Sequence, residues 1–145
     1  MKFLKKWTLL AVVMIAFLSS CEVKEVNEVY VNSFTQNYSV RKSDWNIGTD
    51  DKSGIYYYYE FKESHLTQDV FNYGAMQAFL QMNDGNITPL PFNDYWKEET
   101  DGYLWTEQVT CEFRPGYITF IVKSSDHVEV LPHYDTYDFR VRFVW

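Results

Sequence analysis

The sequence predicts an all-β fold, an antiparallel β-sandwich with one short connecting helix; the alternative is a partly closed β-barrel. Three observations carry this expectation. Apolar and polar residues alternate with period two through most of the chain, as in strands that bury one face. Tyr, Phe and Trp make up 19% of the residues, and aromatic side chains favour pleated surfaces. Helical spacing is confined to a single stretch.

The elements follow in order. Tyr30, Phe34, Tyr38 and Val40 alternate with Ser33, Thr35, Asn37 and Ser39 in a half-buried strand. Asn46 to Gly54 is rich in turn formers and is expected as a turn. Ile55, Tyr57, Tyr59 and Phe61 then line one face of a strand whose other face carries Tyr56 and Tyr58. Leu66, Val70 and Tyr73 fall at i, i+4 and i+7. With Ser64 as N-cap and Gly74 just past the end, they predict a two-turn helix facing Leu66 and Val70 to the core. Met76, Ala78, Leu80 and Met82 form one face of a third strand, and residues 103–113 form a fourth. Arg114-Pro115-Gly116 is a tight turn, after which Ile118, Phe120 and Val122 mark a returning strand. The last strand sets Tyr137, Phe139, Val141, Phe143 and Trp145 against Asp138, Arg140 and Arg142, which pairs the C-terminus into the sheet.

The N-terminus reads as an address. Lys2, Lys5 and Lys6 precede an apolar run from Leu9 to Leu18, too short for a transmembrane helix, which needs about 20 residues. The run ends in Leu18-Ser19-Ser20-Cys21, a bacterial lipobox pattern, so residues 1–20 are expected as a lipoprotein signal peptide and Cys21 as the lipidated residue. More than one acyl chain makes such an anchor stable. Residues 21–28 read as a lipidated tether and 29–145 as a single β-sandwich domain. Losing the three signal lysines takes the net charge from −7 to −10, which disfavours anionic partners, so no nucleic acid is expected. The expected partners are the membrane, through the lipid on Cys21, and a glycan or an envelope protein. The expected location is the outer membrane, facing the cell surface, with the periplasmic face as the alternative.

The order of motifs resembles a group of small Bacteroidota lipoproteins with no assigned activity. The resemblance rests on the lipobox, Ser43-Asp44-Trp45, the Tyr-rich strand ending Glu60-Phe61, Leu66-Thr67 to Gly74, and Thr88-Pro89-Leu90-Pro91. It continues through Trp105-Thr106-Glu107, Pro115-Gly116 and Ser125-Asp126. It implies the address and a β fold, and no catalytic residues.

The chemistry-bearing residues make no known catalytic pattern. Neither metal ligands nor a cofactor site are expected: His65, His127 and His133 lack ligand spacing, and the glycines form no phosphate loop. Asp126-His127 could meet His133 and Asp135 across one polar loop. Asn83-Asp84-Gly85-Asn86 reads as a hairpin turn rather than a calcium loop. Cys111, with Cys21 lipidated, has no disulfide partner and reads as a buried thiol. Glu107 falls on the apolar face of its strand, where burial demands a partner such as Arg140 or Arg142. Aromatic surface is the remaining candidate: Trp45 in a turn, Tyr56 and Tyr58 on a strand, and Tyr95 and Trp96 in a loop are the expected ligand-binding residues. The leading functional expectation is a non-enzymatic binding module. An accessory subunit of an envelope complex comes second, and a small hydrolase using Glu107 or the His127/His133 loop third.

Overall fold

Two antiparallel sheets face each other across one aromatic core. The structure, a computed structural model, describes residues 31–51, 54–97, 102–125 and 132–145. The expected signal peptide, Cys21 and the tether lie outside these residues, as do Asp126 and His127. The strands are β1 (Ser33–Arg41), β2 (Asn46–Asp50), β3 (Gly54–Lys62), β4 (Ala75–Gln81) and β5 (Ile87–Pro89), then β6 (Phe92–Lys97), β7 (Leu104–Arg114), β8 (Tyr117–Ser124) and β9 (Thr136–Val144). A short helix, α1 (Gln68–Tyr73), joins β3 to β4. One sheet has the order β1-β9-β4-β5 and the other β2-β3-β8-β7-β6, so the described residues form the expected sandwich, not a closed barrel.

The period-two pattern places the core. Tyr137, Phe139, Val141 and Phe143 of β9 are almost fully buried, opposite Ile118, Phe120 and Val122 of β8. Phe120 and Phe139 stack across the sheets, with ring centroids 3.8 Å apart and planes within 7°. Tyr38 packs against Phe61 and Phe120 beside them. The C-terminal residue is tied in as expected: Trp145 and Asn32 exchange backbone hydrogen bonds of 2.8 and 3.0 Å.

Three elements differ from the sequence expectation. Asn46–Asp50 is an edge strand paired to β3, not a turn. Its signal was masked because Gly48 supplies no side chain to the alternation. A Cβ at Gly48 would overlap the Tyr56 ring, which lies across the strand at that point. The N-cap of α1 is Thr67, whose Oγ1 accepts the Val70 N–H at 3.3 Å, and not Ser64. The residues before it are held by other bonds, Leu66 N–H to the Glu63 carbonyl and Gly116 N–H to the Leu66 carbonyl. Gly74 ends the helix with an ordinary φ of −88°, and it is needed for close approach: a Cβ there would stand 2.6 Å from the Val70 carbonyl oxygen. Finally, Phe92–Lys97 is a strand paired to β7, not a loop, and this rearranges the expected site.

Among the described residues no helix is long and apolar enough to cross a membrane.

Candidate functional site

The outer face of the five-stranded sheet is plated with tyrosine. Alternation along a strand sends every second side chain outward, and the register aligns those residues in rows. Tyr58 lies between Asn46 and Ile121, and Ile121 lies beside Thr110. Tyr56 lies between Gly48 and Lys123, and Lys123 lies beside Gln108. The Tyr56 and Tyr58 rings are 5.9 Å apart, and the Lys123 ammonium sits 5.3 Å from the Tyr56 centroid. The Tyr56 ring occupies the space over Gly48, so it lies along the sheet, and the residue is half-buried. Ile121 is only 6% exposed although it points outward, so its neighbours cover it. Tyr95 extends the face on β6 and is 77% exposed. From the lane and residue spacings it stands roughly 16 Å from Tyr56. Toward the β7–β8 turn, the Arg114 guanidinium lies 3.7 Å over the Tyr117 ring and pairs with Glu60 at 2.8 Å.

A second cluster lies on the inner side of β6 and β7. Asp94 and Glu107 are direct cross-strand neighbours, as are Trp96 and Trp105. Trp96 stacks on the His133 imidazole, centroids 3.3 Å apart, with Tyr134 edge-on at 5.7 Å. Tyr134 donates its hydroxyl to Asp94 at 2.6 Å. Glu107 is 2% exposed and accepts the Tyr137 hydroxyl and, at 3.0 Å, the His133 backbone N–H. Burial raises the Glu107 carboxyl above the ordinary carboxylate value, and the neighbouring Asp94 charge adds to it. The two hydrogen bonds and Lys42 offset part of that rise. Burial and the Lys42 charge depress the His133 imidazole. These groups could transfer protons in principle, but the carboxyl is sealed from solvent, and its partners are His133, just before β9, and Tyr137 of β9 itself. It joins the two sheets.

Glu63 makes a matching joint that the sequence reading missed. It lies just past β3, is 6% exposed, and accepts the Tyr38 hydroxyl from the opposite sheet. His65 adds its backbone N–H at 2.8 Å and Nδ1 at 2.7 Å. Burial would raise this carboxyl, but the three donors and the His65 charge outweigh it and hold it below its ordinary value. The signal was present, since Glu63 continues the inward alternation of Tyr57, Tyr59 and Phe61 by one more step.

The five expected aromatic residues therefore separate. Tyr56, Tyr58 and Tyr95 share the outer face. Trp45 is not an exposed turn residue: it is 8% exposed and packs edge-on against Tyr137 at 5.4 Å. Trp96 points inward, because adjacent residues of a strand face opposite ways and Tyr95 takes the outer side. The expected arginine partner of Glu107 is also replaced. Arg140 and Arg142 alternate with the buried residues of β9, so they point outward, and Arg140 Nε donates to Asn37 Oδ1 at 3.3 Å. The hydroxyl and N–H donors satisfy Glu107 without bringing a second charge into the core. Cys111 is half-buried, and burial together with the Glu112 charge raises its thiol, leaving it a weak nucleophile. Asn83 to Asn86 form the expected hairpin turn, with Asp84 Oδ1 accepting the Asn86 N–H at 3.0 Å. Among the described residues no group of three or more His, Cys, Asp or Glu side chains is placed to hold a metal.

Comparison with protein-family models, curated proteins and solved structures finds no match to this chain.

Proposed function

We propose that this chain is a lipid-anchored lipoprotein of the bacterial envelope, displayed at the cell surface, and that it binds a glycan without chemical turnover. The observation that supports the binding role is the set of Tyr56, Tyr58 and Tyr95 on one solvent-facing sheet surface. The C–H face of a sugar ring is apolar and weakly positive, and it stacks on the electron-rich face of a phenol. Gln108 and Thr110, in the rows between the tyrosines, supply hydroxyl and amide groups for the sugar hydroxyls. The span from Tyr56 to Tyr95 suits an oligosaccharide of several rings rather than a single sugar. Among the described residues, Glu107, Asp94, Tyr134 and Tyr137 are, by contrast, engaged with one another or with the backbone inside the sandwich.

The anchor rests on the Leu18-Ser19-Ser20-Cys21 pattern. Protease treatment of intact cells carrying the tagged protein tests the address, with Cys21→Ala as the unanchored control. Cleavage of the wild type on intact cells is expected; protection until lysis overturns the surface reading. An oligosaccharide array probed with the wild-type chain tests the ligand. Binding that is lost in the Tyr56→Ala/Tyr58→Ala/Tyr95→Ala variant is expected, and an array with no bound glycan overturns the reading. A second reading, an accessory subunit of an envelope complex, is favoured by the open strand edge described next.

A further inference from the structure

Among the described residues, strand β7 has one half of its outer edge uncovered. β8 pairs along residues 107–114 on one side, whereas β6 pairs only with residues 104–109 on the other. Opposite, β5 covers β4 only from Phe79 to Gln81, with the Leu90 N–H reaching Ala78. The chain crosses between the sheets at Leu90-Pro91, and beyond that crossing no described strand pairs with either edge. Among the described residues no backbone hydrogen bond reaches the free side of β7 from Thr110 to Arg114. In an antiparallel ladder every second residue turns its N–H and C=O to that side. Unpaired edges of this kind are usually covered or blunted.

A cleft of about 440 Å³ lies along this edge. Met76, Ala78, Leu90 and Phe113 supply its apolar part, Gln77 lies among them, and its outer rim carries Gln108, Thr110, Glu112 and Lys123. It therefore meets β7 from both sides of the sheet, as a neighbouring strand would. The nearby Arg114 is taken by Glu60 and Lys123 lies over Tyr56, and among the described residues no cation pairs with Glu112.

The geometry points to this edge as the acceptor for an extended peptide strand of a partner protein, with alternate apolar side chains turned into the cleft and a basic residue outward beside Glu112. Main-chain hydrogen bonds to β7 supply affinity and the cleft supplies sequence preference. The incoming strand continues the lane of β6, which ends its pairing at Val109. This site deepens the accessory-subunit reading; it shares Gln108 and Thr110 with the tyrosine face but none of the three tyrosines, so loss of glycan binding in the tyrosine variant and loss of peptide binding at the edge are read separately.

The test is selection of a displayed library of random peptides of about ten residues against the full chain. The chain carries Cys21→Ala, which leaves Cys111 as its one thiol. Recovered peptides alternate apolar with polar residues and carry Lys or Arg. They slow amide exchange within Thr110 to Arg114 and slow alkylation of Cys111, which borders the cleft. Glu112→Lys, on the exposed outer side, weakens these peptides about tenfold and favours acidic ones, while Glu112→Gln weakens them less. The proposal is overturned if no peptide is recovered, if recovered peptides lack alternation, or if the protected amides lie elsewhere. Self-association through the same edge without peptide also overturns it, because the occupant is then a second copy.

Discussion

The inner cluster at Glu107 and the outer face at Tyr56 are built on the same sheet, and they differ in whether their groups are already engaged. Inside, Glu107, Asp94, Tyr134, Tyr137 and His133 resemble the contents of an active site, but the described geometry gives each a partner within the fold. Outside, Tyr95 is exposed and Tyr56 and Tyr58 are half-buried, with the Lys123 ammonium over the Tyr56 ring. Titratable groups in proximity are thus a weak guide to function when they are buried and mutually satisfied. The proposed recognition uses the outer face, where the strands' backbone is paired and the tyrosine rings are at least partly exposed.

Substitutions on the two sides sharpen the contrast. The largest effect is expected at Glu107→Ala, which strands the Tyr137 hydroxyl and the His133 N–H and leaves a void. Denaturant unfolding should show a loss of about 3 kcal/mol, with glycan affinity unchanged below the unfolding transition. Tyr56→Ala/Tyr58→Ala should do the reverse, weakening the glycan about a hundredfold by titration while stability moves by about 1 kcal/mol or less. Tyr137→Phe removes one donor and keeps the ring, so a loss of about 1–2 kcal/mol is expected.

The two buried carboxyls separate by pH. Glu63 is held below its unfolded value, so its contribution is present above the ordinary carboxylate range and is lost as pH falls through its folded pKa. Glu107 is raised above its unfolded value, so its contribution is complete below that range and is lost as pH rises through its folded pKa. Unfolding followed across pH should show Glu63→Gln flattening the acid limb and Glu107→Gln flattening the limb above it. The smallest effect belongs to Tyr95→Ala, at 77% exposure, with stability unchanged within about 0.5 kcal/mol.

Much of the sandwich was legible in the sequence. The strands carrying Tyr57, Ala78, Ile118 and Phe139 announce themselves because their inward positions are uniformly apolar. β2 and β6 do not, for a shared reason: their alternation is broken by the residues that give the face and the cluster their character. Gly48 gives up its side chain to the Tyr56 ring, and Asp94 puts a carboxyl at an inward position. Reading β6 as a loop joined Tyr95 to Trp96, whereas strand geometry places them on opposite sides. Trp45 misled because a tryptophan between turn formers looks exposed until Tyr137 is brought against it. The Tyr38–Glu63 and Tyr137–Glu107 joints depend on residues 25 and 30 positions apart in sequence, which no local pattern links.

The most direct measurement is a heteronuclear NMR titration of the chain with the tightest oligosaccharide from the array. Shifts clustered at Tyr56, Tyr58, Ile121, Thr110 and Tyr95, with Glu107, His133 and Trp96 unmoved, are the expected result. Shifts centred on Trp96, His133 and Glu107, with the tyrosine face unmoved, would contradict the account and place recognition inside the cluster assigned here to holding the sheets together.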